Sequence, residues 1–536
     1  MKKIIYLFTI VSLTLSSCHA DLDQVPTDPD LFTEFNVYKD AESAKGALAK
    51  IYASLAITGQ KGPDGDPDID GSLIDEGFSQ YTRILYTLNE CSTDEAVVGW
   101  GDPGLPNIHE MSWDVNNPWT QGMYFRLAQV VSFSNSFIEN AADLASDNAE
   151  VAFYIAETRF IRAYAYLQLM DMYANVPLVT KVSTELPLQS NRTEIFDFVE
   201  KELTELSSLL PESRANEYGR VDKVAAWALL SRLYLNATVY IGTDKNSKVI
   251  EFADKVISSS YALNTSDGNG NGSAYDELFL ADNNSNGAQN EFIFVIQFDG
   301  LNSQSWGGST FQVHAAIGGT MNPSLFGVGG GWGGLRTTKA LVDKFAYAAT
   351  STDIDGHPIG WSDPRAMFHT DGQNYEIAKV SVWKEGYAVS KYKNVDVNGK
   401  AGSDSSGNHV DTDLAIIRLA EVYLNYAEAV TKGGGGSSAT ALGLINQLRV
   451  RAGAPQILST QLTSDFVLDE RSRELYWEGL RRSDLIRANK FVTGSYLWPF
   501  KAGVSSGKAS DEHRKIFPIP EAVLLVNSNL KQNPNY

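Results

Sequence analysis

The chain of 536 residues contains only two cysteines, Cys18 and Cys91, and seven histidines. That scarcity removes a disulfide framework, and no His or Cys group stands at metal-ligand spacing. The chain also lacks any apolar run of the roughly 18 to 20 residues that a bilayer-spanning helix needs. The stretch from Ile4 to Leu15 falls short of that length, and nothing later approaches it. Positive charge is scarce as well: 44 Lys and Arg stand against 65 Asp and Glu, for a net charge of -21. Such a surface repels phosphate backbones and anionic lipid, so nucleic acid and polyanions are poor candidates as partners and a neutral ligand fits better. Catalytic motifs are missing too. There is no Gly-x-Ser-x-Gly elbow and no His-Glu-x-x-His, and Gly329-Gly330-Gly331 and Gly433 to Gly436 are not followed by Lys-Ser/Thr. Carboxylates are so numerous that counting alone leaves room for a glycosidase acid and base.

What is present begins at the N-terminus. Lys2 and Lys3 precede the short apolar run, which ends in Leu15-Ser16-Ser17-Cys18. A basic start, a short hydrophobic stretch and small residues before a cut make a secretory signal, here residues 1–17. The cysteine at the cut resembles a bacterial lipobox, in which the thiol is acylated and becomes the first mature residue. Two or three acyl chains hold a protein on a membrane far more firmly than one. Asp21 and Asp23, just beyond, resemble a surface-export signal of Bacteroidetes lipoproteins. With Cys18 acylated, Cys91 has no disulfide partner.

Helical periodicity recurs along the chain. Ala44, Leu48, Ile51 and Leu55 form one stripe; Phe160, Ala163, Tyr164, Leu167 and Met170 another; Ile195, Val199, Leu203, Leu206 and Leu210 a third. The segments 223–260 and 414–452 each read as a helical hairpin of tetratricopeptide type, with aromatic and small residues interleaved on the first helix. Such pairs bury their apolar faces only by stacking on neighbours. The expected fold is therefore mainly α, a tetratricopeptide-like helical-repeat scaffold, divided into an N-terminal region 18–260 and a C-terminal region 261–536. Between the helical blocks lie long Gly- and Asn-rich stretches at 59–77, 262–291, 299–336 and 350–412. Loops this long are functional or disordered, and their aromatic content argues against disorder. The helices read as scaffold and the loops as ligand site.

Three loop tryptophans sit among glycines: Trp100 in Gly99-Trp100-Gly101, Trp306 in Ser305-Trp306-Gly307-Gly308, and Trp332 in Gly331-Trp332-Gly333-Gly334. Glycine neighbours leave both faces of an indole uncovered, and a bare indole face is what the C–H-rich face of a sugar ring stacks on. One loop tryptophan alone would be assigned to the core; three in the same setting read as a carbohydrate platform. Trp227 and Trp477, set in helical stripes, are assigned to the core.

The chain resembles the SusD-like (SusD/RagB) nutrient-uptake lipoproteins of the Bacteroidetes over essentially its whole mature length. The resemblance is carried by the run Ala156-Glu157-Thr158-Arg159-Phe160-Ile161-Arg162-Ala163-Tyr164 leading to Tyr173-Ala174-Asn175-Val176-Pro177. It is carried also by Ala228-Leu229-Leu230-Ser231-Arg232-Leu233-Tyr234, Arg418-Leu419-Ala420-Glu421-Val422-Tyr423, Glu470-Arg471-Ser472-Arg473-Glu474-Leu475 and the ending Asn533-Pro534-Asn535-Tyr536. Within the family the likeness is greatest to starch-binding members, through Thr58-Gly59-Gln60-Lys61-Gly62, Asp64 to Asp68 and Asp75-Glu76-Gly77 leading to Arg83. There, three aromatics form a curved platform for an α-glucan, with an Asp and an Arg bonding sugar hydroxyls. By resemblance those roles fall on Trp100, Trp306, Trp332, Asp75 and Arg83. Trp306 stands where the relatives have tyrosine, Asp102 or Pro103 replaces a polar amide, and an insertion before the C-terminal region is shorter.

The resemblance implies a non-catalytic cell-surface receptor, lipid-anchored in the outer membrane, that binds a neutral oligosaccharide and presents it to a SusC-like TonB-dependent transporter. Alternatives are another neutral glycan such as laminarin or fructan, a peptide as in RagB-like members, and a lipid-anchored glycoside hydrolase. No cofactor is expected; the acidic loop from Asp64 to Glu76 and Asp282-Asn283-Asn284 offer oxygen ligands of the kind Ca²⁺ takes.

Overall fold

A computed structural model describes residues 37–536; the signal segment and Cys18 lie outside them. The principal helices are α1 (Ala41–Ala53), α2 (Tyr81–Asn89), α3 (Pro118–Asn140), α4 (Ala149–Tyr173), α5 (Arg192–Leu209), α6 (Lys223–Leu235), α7 (Asn246–Ile257), α8 (Gly308–Ala315), α9 (Leu419–Thr431), α10 (Ser438–Arg451), α11 (Ser464–Leu475) and α12 (Arg481–Arg487). Polar caps set the starts of several. Asn148 accepts from Glu150 and Val151 N–H at α4, Asp222 does the same at α6, and Asn191 with Glu194 closes a capping box on α5. Helix α4 is buried on nearly every side from Ala156 to Tyr173, its polar Glu157, Arg162 and Asp171 included, with α1, α3 and α5 packed against it.

The repeat reading holds. Helices stack in chain order, α3 on α4, α4 on α5, α5 on α6 and α6 on α7, and then α7 packs on α9, some 160 residues further on. Helices α6/α7 and α9/α10 are the two expected hairpins, and their contact joins the N-terminal and C-terminal regions read from the sequence. The residues between α7 and α9 form an insert beside the stack. Its base is an antiparallel ribbon of β2 (Phe292–Ile296) and β4 (Leu414–Arg418), paired Phe292 with Arg418 and Ile296 with Leu414. Among the described residues no helix is long and apolar enough to cross a membrane.

Buried charges clamp the insert to the stack. Arg418, 1% exposed, pairs with Glu291, Glu474 and Glu478 at 2.9, 2.7 and 2.7 Å. Arg365 in the insert bonds Asp363, Glu470 and Glu474. Burial alone would raise the Glu470 carboxyl, but Arg365, Arg473 and Arg449 around it bring it down to about 2.

Two tryptophan assignments and one loop assignment need correction. Trp477 is buried as expected, but it follows the end of α11 with φ 66° instead of lying in a helix. Trp227 is on α6 yet only half-buried, at the edge of the core. The stretch 299–336, read as loop throughout, contains α8, all of whose residues are buried. Its eight residues begin at Gly308, directly after Gly307 at the N-cap, and carry no amphipathic stripe, because every side of this helix is covered.

Candidate functional site: an aromatic platform

The platform is assembled by a ribbon of two residue pairs. Strand β1 (Val97–Val98) pairs antiparallel with β3 (Leu335–Arg336), Val97 opposite Arg336 and Val98 opposite Leu335. One further bond, Gly99 N–H to the Gly334 carbonyl at 3.0 Å, carries the pairing outward. Trp100 follows β1 and Trp332 precedes β3, so the register alone sets them side by side. Gly334 is required there: a Cβ on it would fall 2.3 Å from Trp100 Cε2. The segment carrying Trp332 is pinned in turn to the end of α8. The N–H groups of Trp332, Gly333 and Gly334 donate to the carbonyls of His314, Ile317 and Ala315 at 2.7, 2.9 and 2.8 Å. These are carbonyls at and just beyond a helix C-terminus, which have no partner within the helix.

The three sequence-predicted tryptophans come together with Trp332 in the middle. Its ring centroid lies 6.3 Å from Trp100 and 6.2 Å from Trp306, with interplanar angles of 49° and 63°. Successive faces tilt, so the three rings present a faceted surface instead of a flat wall. All three are half-buried.

Each indole has a backing group that sequence reasoning missed. His314 stacks on Trp332 at 4.9 Å and 16°, His409 lies against Trp306 at 4.9 Å and 38°, and Phe311 meets Trp100 edge-on at 6.0 Å. One face of an indole is therefore covered by the body, and the flanking glycines serve close approach of the loops more than bare exposure. Burial holds the His314 and His409 imidazoles below their ordinary pKa, which keeps them neutral under the rings. The His314 Nδ1 is 2.7 Å from the Gly330 carbonyl, which fixes the ring's orientation. Phe311 and His314 are three apart on α8, a spacing that becomes a signal only once 308–315 is recognised as helical.

The polar partners differ in character. Arg83, on α2, donates from Nη1 to the carbonyls of Gly77 and Trp306, both at 3.0 Å. Its guanidinium lies 5.8 Å from the Trp100 ring and 4.8 Å from Phe311. Burial brings its pKa down to about 10, opposed by Asp102 and Asp75, so it stays charged at neutral pH. Asp75 is exposed and accepts the Phe78 N–H at 3.2 Å. Asp64 accepts from Trp306 Nε1 at 2.7 Å, holding that ring from the acidic loop. Asp66 and Asp68 of the same loop pair with Lys61 and Lys50, and Asp282 accepts from Asn286 and the Val397 N–H. Among the described residues, three His, Cys, Asp or Glu ligand atoms converge only at Asp353, Asp355 and His357, neither in the acidic loop nor at Asp282.

A helical-repeat body thus presents a row of tryptophans in its loops, with an arginine and carboxylates beside it. Comparison with known proteins gives the family. Residues 371–536 match the SusD family, and residues 103–235 match a family described as starch-binding and associating with the outer membrane. The chain is 34% identical to the starch-binding protein SusD of Bacteroides thetaiotaomicron, over 99% of this chain and 98% of that one. A SusD-like protein of Formosa agariphila is 25% identical over the full length of both chains. Among solved structures, a SusD homologue from Bacteroides thetaiotaomicron superposes with a TM-score of 0.70 at 22% identity, covering 94% of this chain and 98% of the other. A laminarin-binding SusD-like protein superposes with a TM-score of 0.68 at 21% identity, covering 93% of this chain and all of the other. The chain belongs to the SusD family.

Proposed function

We propose that this protein is a cell-surface glycan receptor that captures starch-type α-glucan chains and hands them to a TonB-dependent outer-membrane transporter. The observation that carries this reading is the convergence of Trp100, Trp332 and Trp306, each backed from within and tilted against its neighbour. Tilted hydrophobic faces suit a curved chain of neutral rings, and Asp75 and Arg83 at the margin suit its hydroxyls. The 34% identity to a starch-binding protein supports the glucan class. The family description supports the outer membrane as the place of action. Anchoring would come from acylation of Cys18.

The role is non-catalytic. Glycoside hydrolysis needs two carboxyl groups about 5 to 10 Å apart across the scissile bond. Of the carboxylates beside the platform, Asp64 is engaged in holding Trp306, which leaves Asp75, whose one bond is to the Phe78 N–H, for the sugar hydroxyls. Stacking and hydroxyl bonding require no cofactor. Isothermal titration of the purified protein against amylose, maltooligosaccharides, laminarin and inulin tests the reading, with reducing ends measured after overnight incubation. Binding of α-glucan without release of reducing ends is expected. Release above a heat-killed control, abolished by one Asp or Glu substitution, would overturn the receptor role; titration heats with inulin or laminarin alone would overturn the α-glucan assignment.

A further inference from the structure

Trp383 lies in a segment, 371–386, to which the platform reading assigns nothing. That segment is tied to β3, which follows Trp332, by Arg336, which is fully buried and donates to the carbonyls of Glu385 at 2.9 Å and Val380. The Trp383 indole rests on the backbone beside the platform: a Cβ on Gly318 would fall 2.6 Å from its Cε2, and one on Gly333 would fall 3.7 Å from its Cδ2. Gly333 and Gly334 are consecutive, so Trp383 meets the very stretch that Trp100 meets one residue later. The ring is half-buried and held before any ligand arrives. Gln373, in the amide orientation its surroundings require, accepts from Trp383 Nε1 at 2.9 Å and donates to the carbonyls of Lys384 and Gly386 at 3.1 and 2.8 Å. Arg336 stands 5.7 Å from the ring centroid. Thr320 and His369, hydrogen-bonded to each other at 2.9 Å, lie by the same turn, since Thr320 also donates to the Asp371 carbonyl.

We propose that Trp383 is a fourth stacking surface of the glycan site, used by chains long enough to run past the three-ring platform, with Thr320 and Gln373 beside it as hydroxyl partners. This rests on the carbohydrate reading of the platform. A fixed, partly open indole one residue along the same backbone adds a contact with little ordering cost, because its rotamer is already set. Short oligosaccharides are satisfied by the three-ring platform and do not reach it. The protein thereby discriminates by chain length.

The test is titration of wild type, Trp383→Ala and Trp332→Ala with maltotriose and with a long maltooligosaccharide, alongside thermal melting. Trp383→Ala is expected to weaken the long ligand about tenfold, to leave maltotriose within about twofold, and to melt like wild type. Trp383→Leu keeps apolar contact with Gly318 and serves if the alanine variant melts early. Equal affinity of wild type and both Trp383 variants for the long chain, with Trp332→Ala impaired, overturns the fourth surface alone. Equal losses for short and long ligands overturn the chain-length role. A wild type that binds neither ligand overturns the α-glucan reading and this proposal together.

Discussion

Trp332 is where the platform is most exposed to test, because it is the one ring in contact with both others. Trp332→Ala removes an indole 6.3 Å from Trp100 and 6.2 Å from Trp306, and breaks the row in two. Stacking of a flat ring on an aromatic side chain is worth about 1 to 3 kcal/mol, which is about 5- to 150-fold in affinity. The loss is expected toward the upper end, since a glucan in any register meets the middle ring. The backbone is spared: Trp100 Nε1 donates to the Trp332 carbonyl, and α8 accepts its N–H, whatever the side chain. Folding is expected to suffer little, because the ring is half-exposed and its inner face meets chiefly His314. Trp477, 1% exposed, provides the contrast: its truncation is expected to cost about 3 to 5 kcal/mol of stability, as for a buried aromatic. Titration calorimetry with a maltooligosaccharide and thermal melting, run on both variants, separate the cases. If Trp332→Ala binds like wild type, or melts as early as Trp477→Ala, the ring belongs to the core and the platform reasoning fails.

Other outcomes follow from the same geometry. Asp75→Ala is expected to weaken glycan binding with unchanged melting, whereas Arg83→Ala lowers both, since the guanidinium also bonds the Gly77 and Trp306 carbonyls; titration and melting of the pair check this. Burial, helped by Arg336, pulls the His109 imidazole down to about 4. The folded state therefore prefers the neutral ring, so its contribution is whole above about pH 6.5 and fades by about 3 kcal/mol as pH falls toward 4. His109→Phe is expected to flatten that part of the melting-versus-pH curve, and parallel curves would refute it. Arg418→Ala takes one cation from three buried carboxylates, which keep Arg451, Arg365 or Lys391 as partners, and is expected to cost up to about 3 to 5 kcal/mol, read by denaturant unfolding. Cys18→Ala is expected to release the protein from the outer-membrane fraction, and continued anchoring in fractionation would contradict acylation.

The helical stack was legible because its signals are local. Stripes such as Ala44-Leu48-Ile51 and Ile195-Val199-Leu203 recur at the helical period and end up buried. The three tryptophans were legible as individuals, through their glycine neighbours. Their convergence was not, since Trp100 and Trp332 lie 232 residues apart and meet through one pair of two-residue strands, too short to leave a pattern. The backing layer was invisible for a related reason. His314 and His409 are isolated histidines in Gly-rich sequence, and nothing in either neighbourhood says that an indole lies on top. Trp383 has a lysine and a valine as neighbours and so escaped a search based on flanking glycine; the glycines that matter to it, Gly318, Gly319 and Gly333, come from other segments.

The arrangement also accounts for how an open site on loops can be rigid. A loop aromatic that ordered only on binding would lose much of its stacking energy to that ordering. Here the cost is met during folding: α8 and the turn after it accept the N–H groups of 332–334, Asp64 accepts from Trp306 Nε1, and Arg83 donates to the carbonyls of Gly77 and Trp306. Those bonds are anchored by an insert that buried ion pairs of Arg418 and Arg365 fasten to the helical stack. Loosening that fastening should therefore reach the platform as a loss of affinity in protein that is still folded. Mild denaturant, or Arg418→Ala below its melting temperature, is expected to weaken the long glucan before helical signal is lost. A platform that kept full affinity until the helices themselves melted would show that its rigidity is local, supplied by α8 and α2 alone.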